Sequence, residues 1–205
     1  MYCIGIAGRS GSGKTRVAAE LARMWPQARV LGTDAYYRDL SQLSVAERGA
    51  VNFDAPAALD WELLVADLTR LRSGASARVP RYDFATHTRM PEPALLAPSD
   101  VLILEGLFAL FDRRVRGMLD LAVFIDAAEE ECLSRRIERD IACRGRTEAF
   151  SRAQWKRHSA PMYELHVAPT RAYAELFLDG TAAPVGSARS IAEALACIAT
   201  ASGER

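Results

Sequence analysis

The chain has 205 residues, with 26 basic and 26 acidic side chains, so its formal charge is zero. A balanced charge gives no broad footprint for nucleic acid, and no apolar run is long enough to span a bilayer. The four cysteines show neither CxxC nor paired metal spacing, and we find no signal-peptide pattern. We therefore expect a single domain (residues 1–205) in the cytoplasm, with no nucleic-acid or membrane partner.

Short apolar runs alternate with helical patterns along the chain. The runs, typical of buried parallel strands, are residues 2–7, 28–33, 101–106, 121–126 and 174–179. The helix candidates between and after them are 14–24, 57–72, 128–142, 148–166 and 188–200. This alternation predicts an α/β fold of βαβ units around a mainly parallel five-stranded sheet.

Residues 74–98 interrupt the alternation. They contain Gly74 and four prolines, and "ARVPRYDF" has the pattern of a β-hairpin or an extended excursion. We predict a small β-hairpin insertion at about 76–98, beside the main sheet. Because inserted segments often shape substrate sites, "YDFATHTR" (82–89) is a candidate for substrate recognition.

The helix at 128–142 carries its own boundary signals. Asp126 and Glu129 resemble a capping box at its start, and Gly145 indicates where the helix stops. Arg144 and Arg146 flank this glycine and lack nearby acids in the sequence to pair with. We predict an arginine-bearing lid at about 143–155, which closes over phosphates and supplies positive charge.

The segment "GRSGSGKT" (8–15) fits the phosphate-binding pattern G-x-x-x-x-G-K-[ST], between a predicted strand and a predicted helix. Its backbone N–H groups converge on a polyphosphate, Lys14 reaches the β- and γ-phosphates, and the Thr15 hydroxyl ligates Mg²⁺. A dinucleotide-binding turn is rejected, because this loop reads G-x-x-G-x-G followed by Lys-Thr. The predicted phosphate-binding residues are Gly8, Ser10, Gly11, Ser12, Gly13, Lys14 and Thr15.

Three acids are candidates for chemistry at the carboxyl ends of the predicted strands. Glu105 ends "VLILEG" and could hold Mg²⁺ directly or through water. Asp34, after the second strand, is the best-placed acid to accept a proton from an attacking hydroxyl. Asp54 beside Phe53 suits a sugar, because a carboxylate accepts from vicinal hydroxyls while a ring covers a flat group. Their plainer interpretations are a strand-terminal acid, a turn aspartate and an Asx-turn.

Transfer to a small acceptor is favoured over hydrolysis. A GTPase would need a guanine-reading N-K-x-D, which the sequence lacks, and motor ATPases usually need a longer chain. Arg136 and Arg139 share one helix face by their spacing, and with Arg144 and Arg146 they suit a transferring phosphoryl group.

Together these segments resemble the uridine–cytidine kinases, within the wider group that includes phosphoribulokinase and bacterial pantothenate kinase. The matching segments, in order between residues 4 and about 178, are "GRSGSGKT", "TDAYYRD", "NFDAPAALD", "PRYDFATHTR", "LILEG", "RRIERDIACRGR" and "PTRAYAE". The resemblance implies a three-layer P-loop NTPase fold, Mg²⁺, ATP as donor with GTP left open, and a pyrimidine ribonucleoside as acceptor. It also implies a homo-oligomer, typically a tetramer, and feedback inhibition by pyrimidine triphosphates.

The resemblance assigns roles residue by residue. Asp34 is the base for the ribose 5′-hydroxyl, and Thr15 and Glu105 are the Mg²⁺ neighbourhood. The catalytic group is Asp34, Lys14, Arg139 and Arg144, and Arg146 joins the phosphate-binding residues. The ribose readers are Asp54, Arg136 and Gln154. The base readers are Tyr82 and His87, with Tyr37, Phe53 and Phe84 as walls of the base site.

Two alternatives and two departures from the resemblance remain, and one departure is that Asp179 and Gly180 end the last strand where an apolar residue and a proline are expected. The alternatives are a sister kinase for pantothenate or a sugar phosphate, and a nucleotide-binding regulatory protein without turnover. Arg9 stands where the resemblance predicts a small residue, and we expect it to alter phosphate or lid contacts. The sequence leaves open the preference between uridine and cytidine, and residues 180–205 carry no motif.

Overall fold

The computed structural model describes residues 1–203. The strands in this range are β1 Tyr2–Gly8, β2 Arg29–Gly32, β3 Ala77–Val79, β4 Tyr82–Asp83, β5 Thr88–Arg89, β6 Ala94–Leu96, β7 Val101–Glu105, β8 Leu121–Asp126 and β9 Leu176–Asp179. The α-helices are α1 Lys14–Met24, α2 Val45–Ala50, α3 Trp61–Arg72, α4 Arg113–Arg116, α5 Glu129–Arg144, α6 Glu148–Gln154, α7 Ala160–Met162 and α8 Pro184–Gly203. Short 3₁₀ and π segments join several of them.

The main sheet has five parallel strands in the order β2-β7-β1-β8-β9, which confirms the predicted sheet. Its inner strands are apolar on both faces because helices cover both. On one face α1 and α8 pack Val17, Leu21 and Ile191 against the sheet. On the other face Leu64 and Leu68 of α3 join a second apolar cluster. The molecule therefore has the predicted three layers.

The sheet register brings three functional segments to one edge. Ile6 of β1 and Gly32 of β2 both pair with Glu105, the last residue of β7. The phosphate loop follows β1, and Asp34 follows β2 within a 3₁₀ turn at Thr33–Tyr36. Because parallel strands end at the same side, these groups meet in one crevice.

The insertion consists of two antiparallel ladders, which confirms the predicted hairpin. Strand β3 pairs with β6, and the shorter β4 and β5 pair between them. Arg89 anchors this hairpin to the segments after β2 and before α3, since its Nε donates to the Tyr37 carbonyl at 2.9 Å and its Nη2 donates to Asp60 at 3.2 Å. The hairpin is thereby held beside the segment that carries Asp34.

The predicted capping box at the start of α5 is wrong. The N-cap residue is Ala128, and no side chain caps this end. The Glu129 carboxylate instead accepts a hydrogen bond from Trp155 Nε1 at 2.8 Å, and Asp126 pairs with Arg171. Both carboxylates are therefore bonded to side chains that are distant in the sequence, and neither is available to cap the helix. The end of the helix follows the prediction, because Gly145 caps it at φ 62°.

The predicted helix at 148–166 is helical but not regular. Two π segments, Trp155–Ser159 and Tyr163–Val167, alternate with α6 and α7. Its buried positions repeat every fourth residue at Ser151, Trp155, Ser159, Tyr163 and Val167. In a straight α-helix each four-residue step would turn the buried side by about 40°. The wider π turns cancel this drift and keep one face inward.

Two further helices differ from prediction at their ends. Helix α3 begins at Trp61 rather than 57, because the Asp60 side chain caps it and a 3₁₀ turn at Pro56–Ala58 precedes it. Helix α8 extends the predicted 188–200 at both ends. Within residues 1–203, none of the helices is long and apolar enough to cross a membrane.

Candidate active site

A cavity of about 850 Å³ lies at the carboxyl ends of β1, β2 and β7. The phosphate loop and α5 form one side, and the hairpin insertion forms another. Every site residue predicted from the sequence lines it, except Gly8 and Ser12, which lie within the loop itself. The structure therefore brings the predicted set together around one cavity.

The phosphate loop faces the cavity on one side and packs closely against α5 on the other. Gly11 has φ 87°, and a Cβ there would collide with the carbonyl oxygen of Cys132 on α5. Gly13, with φ 99°, forms the N-cap of α1. The buried Lys14 donates from Nζ to the Arg9 carbonyl at 2.9 Å, which holds its side chain along the loop. Burial lowers the pKa of Lys14, while Glu105 and Asp34 oppose that shift.

Thr15 and Glu105 form an oxygen pair suited to a hard cation. The Thr15 hydroxyl lies 3.3 Å from both carboxylate oxygens of Glu105. Burial raises the pKa of Glu105, and nearby Lys14 opposes this. No cluster of three or more His, Cys, Asp or Glu residues suits a metal within residues 1–203. The pair fits Mg²⁺, which typically takes one or two protein oxygens and completes its shell with water and phosphate.

Asp34 lies half-buried between the phosphate loop and the lid arginines. Its pKa is raised because burial disfavours the charged carboxylate, and the cations Lys14, Arg144 and Arg139 oppose the shift. A carboxylate with a raised pKa and a cationic surrounding suits proton acceptance from a hydroxyl.

Asp54, Arg136 and Gln154 form one hydrogen-bonded chain. Arg136 contacts Asp54 Oδ1 at 3.3 Å and donates to Gln154 Oε1 at 2.8 Å. The hydroxyl of buried Ser159 donates to Asp54 Oδ2 at 2.6 Å. The sequence analysis did not single out Ser159, because a serine gives no apolar signal at a buried helical position.

Tyr82 and His87 stand on the hairpin with unsatisfied polar atoms. His87 stacks on Phe53 with ring centroids 4.3 Å apart and planes 15° apart. The Tyr82 hydroxyl and His87 Nδ1 are buried, and neither has a hydrogen-bond partner within residues 1–203. Burial lowers the pKa of His87, and the cations Arg146 and Arg144 lower it further. This shift favours the neutral imidazole, which faces the cavity as a flat polar surface.

The lid arginines converge on one acid, which corrects the expectation that they lack a partner. Asp140 of α5 is fully buried and receives Arg139 and Arg144 at 3.3 Å and Arg146 at 3.5 Å. The turn at Gly145 brings Arg146 back toward the helix, which simple sequence spacing does not reveal. Phe84 also lies under Arg144, 4.9 Å from the guanidinium carbon.

Arg9 joins the phosphate loop to the irregular helical segment. Its guanidinium carbon lies 3.7 Å from the ring centroid of Tyr163, and its nitrogens pair with Glu164 at 2.9 Å and Glu129 at 3.3 Å. The side chain is buried and points away from the cavity lining. Arg9 therefore makes packing and charge contacts behind the loop, with the start of α5 and the second π segment.

The three-layer fold, the phosphate loop and the opposing acceptor pocket define a P-loop kinase architecture. Solved structures agree on the fold. Phosphoribulokinase from Rhodobacter spheroides matches with a TM-score of 0.65 and 18% identity over 90% of this chain and 73% of that one. A possible uridine kinase from Bacillus stearothermophilus matches with a TM-score of 0.55 and 19% identity over 87% and 88%.

Sequence comparison gives the family. Residues 3–183 match the family described as Phosphoribulokinase / Uridine kinase, and the chain belongs to that family. The uridine kinase of Brevibacillus brevis is 42% identical over 85% of this chain and 83% of its own length. The uridine kinase of Halobacterium salinarum is 39% identical over 86% and 79%.

Proposed function

We propose that this chain phosphorylates the 5′-hydroxyl of a pyrimidine ribonucleoside, uridine, cytidine or both, with ATP as donor, in pyrimidine salvage. The carrying observation is the pair of buried, unpartnered polar atoms on Tyr82 and His87, placed in one cavity with the phosphate loop. Burying such atoms without partners is costly, so a ligand with hydrogen-bonding edges is the natural occupant. The 42% identity to a uridine kinase supports the same acceptor.

The acceptor end of the cavity suits a nucleoside in both of its parts. His87 stacked on Phe53 offers an aromatic face and ring nitrogens to a base. The Asp54 carboxylate can accept hydrogen bonds from ribose hydroxyls. Arg136 and Ser159 fix that carboxylate, so little orientational freedom is lost when the sugar binds.

The transfer step uses groups already held in place. As the 5′-oxygen bonds to the γ-phosphorus, the bond from that phosphorus to the β,γ-bridging oxygen breaks, and Asp34 takes the hydroxyl proton. Lys14 and the loop N–H groups bind the donor phosphates, and Arg139 and Arg144 neutralise the transferring group. Bound at Thr15 and Glu105, Mg²⁺ would neutralise phosphate charge. The products are ADP and a nucleoside 5′-monophosphate.

Asp34→Ala tests the proton-acceptor role. We expect turnover to fall by about 10²- to 10⁴-fold while ATP still binds, because the variant removes a base and leaves the phosphate loop intact. Steady-state kinetics and calorimetric ATP titration measure the two effects. Exposed Asp100 lies outside the cavity, so Asp100→Ala is the matched control. Near-normal turnover of Asp34→Ala would remove Asp34 from this role.

The acceptor is tested by ADP release with a panel of nucleosides, pantothenate and sugar phosphates, with ATP and GTP as donors. We expect uridine or cytidine to give ADP well above background. Turnover with pantothenate or a sugar phosphate alone would assign a sister kinase, and no turnover with any acceptor would favour a regulatory protein. We also propose that the chain acts in the cytoplasm as a homo-oligomer. Sedimentation of the purified protein tests its oligomeric state.

A further inference from the structure

Asp140 is the most completely enclosed carboxylate beside the cavity, and it does not line that cavity. Its Oδ1 faces Arg139 and Arg144, each at 3.3 Å. Its Oδ2 faces Arg146 at 3.5 Å and Arg136 Nε at 3.7 Å. Each oxygen thus meets two guanidinium groups. All four arginines line the cavity.

The main chain of Asp140 supports the same arrangement. Its carbonyl accepts the N–H of Arg146 at 3.1 Å, across the left-handed turn at Gly145 that ends α5. The buried Ser151 hydroxyl, one turn into the next helix, donates to Asp140 Oδ2 at 3.4 Å. A single residue therefore fixes the helix end, the turn and the first turn of α6.

The charge balance of this cluster leaves it ready for an anion. Four guanidinium cations face three carboxylates, namely Asp140, the Asp54 that pairs with Arg136, and the nearby Asp34, so positive charge remains in excess. Like charges this close repel one another, and the buried Asp140 carboxylate behind them is the one acid that all four arginines share. Removal of the Asp140 carboxylate would leave the arginine charges in the lid, but the guanidinium groups would no longer be held in this arrangement.

We propose that Asp140 is a positioning residue that holds Arg139, Arg144 and Arg146 in register for the transferring phosphoryl group and links them to the ribose-side Arg136. This inference rests on the proposed function, because it assigns these arginines a task in phosphoryl transfer. Asp140 itself touches no substrate atom. It acts through the guanidinium groups, whose placement decides the barrier for transfer while their charge decides the binding of polyphosphate.

The test is Asp140→Asn, which keeps the size of the side chain and removes its charge. We expect kcat to fall about 100-fold, since displacement of catalytic groups by about an ångström has this effect. The dissociation constant of inorganic tripolyphosphate, measured by calorimetry without nucleoside, should stay within about threefold of wild type or tighten, because the arginine charge remains. A structural role alone would weaken binding and turnover together.

Glu148→Gln is the matched control. Glu148 is an exposed lid carboxylate paired with an arginine, Arg152, four residues on, and we expect this variant to match wild type in both measurements. If Asp140→Asn does not fold, Ser151→Ala removes only the hydroxyl on Oδ2, and a several-fold loss in kcat with unchanged tripolyphosphate binding is expected.

Two results would overturn the proposal. One is a kcat for a folded Asp140→Asn within about threefold of wild type, and the other is a parallel loss of kcat and tripolyphosphate binding. For Ser151→Ala, an unchanged kcat counts against it in the same way. Failure of the proposed function is a separate result, because wild-type protein would then release no ADP with uridine or cytidine. The tripolyphosphate titrations still report on the lid in that case.

Discussion

Single residues in this site derive their properties from burial and from the charges around them. Asp34 is a clear case, because burial raises its pKa and three cations restrain that rise. The sequence predicted this residue from its position after a strand. The resemblance also placed Lys14, Arg139 and Arg144 beside it, although the two arginines lie more than a hundred residues away. It did not predict how burial and these charges shift the pKa of Asp34.

The acid limb of activity is expected to report on Asp34. Only the deprotonated carboxylate accepts a proton, so a raised pKa moves the loss of kcat to a higher pH than for an ordinary aspartate. Arg144 opposes the raised pKa, so Arg144→Ala should move this limb further up in pH as well as lower kcat. A pH–rate profile measures the shift, with Arg152→Ala on the lid surface as control. A limb that stays in place in Arg144→Ala would contradict this account.

The backbone of His87, as well as its ring, restricts which residues can replace it. It is the only non-glycine residue with positive φ within residues 1–203, at 56°. Asn tolerates this conformation better than most residues, so His87→Asn keeps the backbone while it removes the imidazole. We expect the KM for the nucleoside to rise roughly 10- to 100-fold with little change in the KM for ATP, because a base contact is lost.

Paired KM measurements for both substrates decide this prediction. His158 lies outside the cavity lining, so His158→Asn is the control for a histidine replaced on the same protein. An equal rise in both constants for His87→Asn would make His87 a support of the hairpin and not a contact of the base.

At the scale of elements, continuous apolar runs were enough to predict the five strands of the sheet. Residues 148–166 were predicted as one regular helix. The sign of the π turns within them is a buried position at every fourth residue, which is difficult to recognise in the sequence. Ser151, Trp155, Ser159, Tyr163 and Val167 form that repeat, but two of these five residues are serines, so apolar periodicity alone hides it. Burial of the two serine hydroxyls is tolerated because each donates a hydrogen bond to an aspartate.

Arg9 is expected to stabilise the junction between this segment and the phosphate loop. A desolvated cation–π contact contributes about 2 kcal/mol, and Arg9 adds ion pairs to Glu164 and Glu129. Arg9→Ala should lower the Tm by about 4–8 °C, since about 2 kcal/mol corresponds to that shift in a protein of this size. Arg23→Ala removes an exposed pair with Glu20 and should leave the Tm nearly unchanged. Equal Tm values for the two variants would contradict a structural role for Arg9.

At the scale of the molecule, the cavity lies where the sheet, α5 and the hairpin insertion meet, so a ligand there contacts all three. The sequence motifs predicted which segments would meet. They did not single out Asp140, the buried acid behind the lid, although Arg136 and Arg144 lie four residues from it on the same helix. The burial of Asp140 and its contact with Arg146 depend on the turn at Gly145 and on α6, which sequence spacing does not show.

Binding at this junction should stabilise the folded chain. At a free Mg·ATP concentration of 100 times its Kd, the stabilisation is about 2.7 kcal/mol, or roughly 5–10 °C in Tm. Lys14→Ala should lose most of this increase, because the side chain that reaches the phosphates is absent. Uridine alone should still raise the Tm of this variant, and thermal unfolding with each ligand checks both statements. A full ATP response in Lys14→Ala would contradict the assignment of the phosphate loop.

The strand order has a consequence for how the chain acquires its structure. β1 lies at the centre of the sheet, yet its two neighbours come late, since Tyr2 pairs with Val101 and Ile4 pairs with Leu121. At typical synthesis rates, about 5–20 seconds separate the emergence of β1 from that of its partners. During this interval an apolar strand with unpaired backbone groups is available to other chains. The nascent protein is therefore expected to depend on chaperones until residue 126 has left the ribosome.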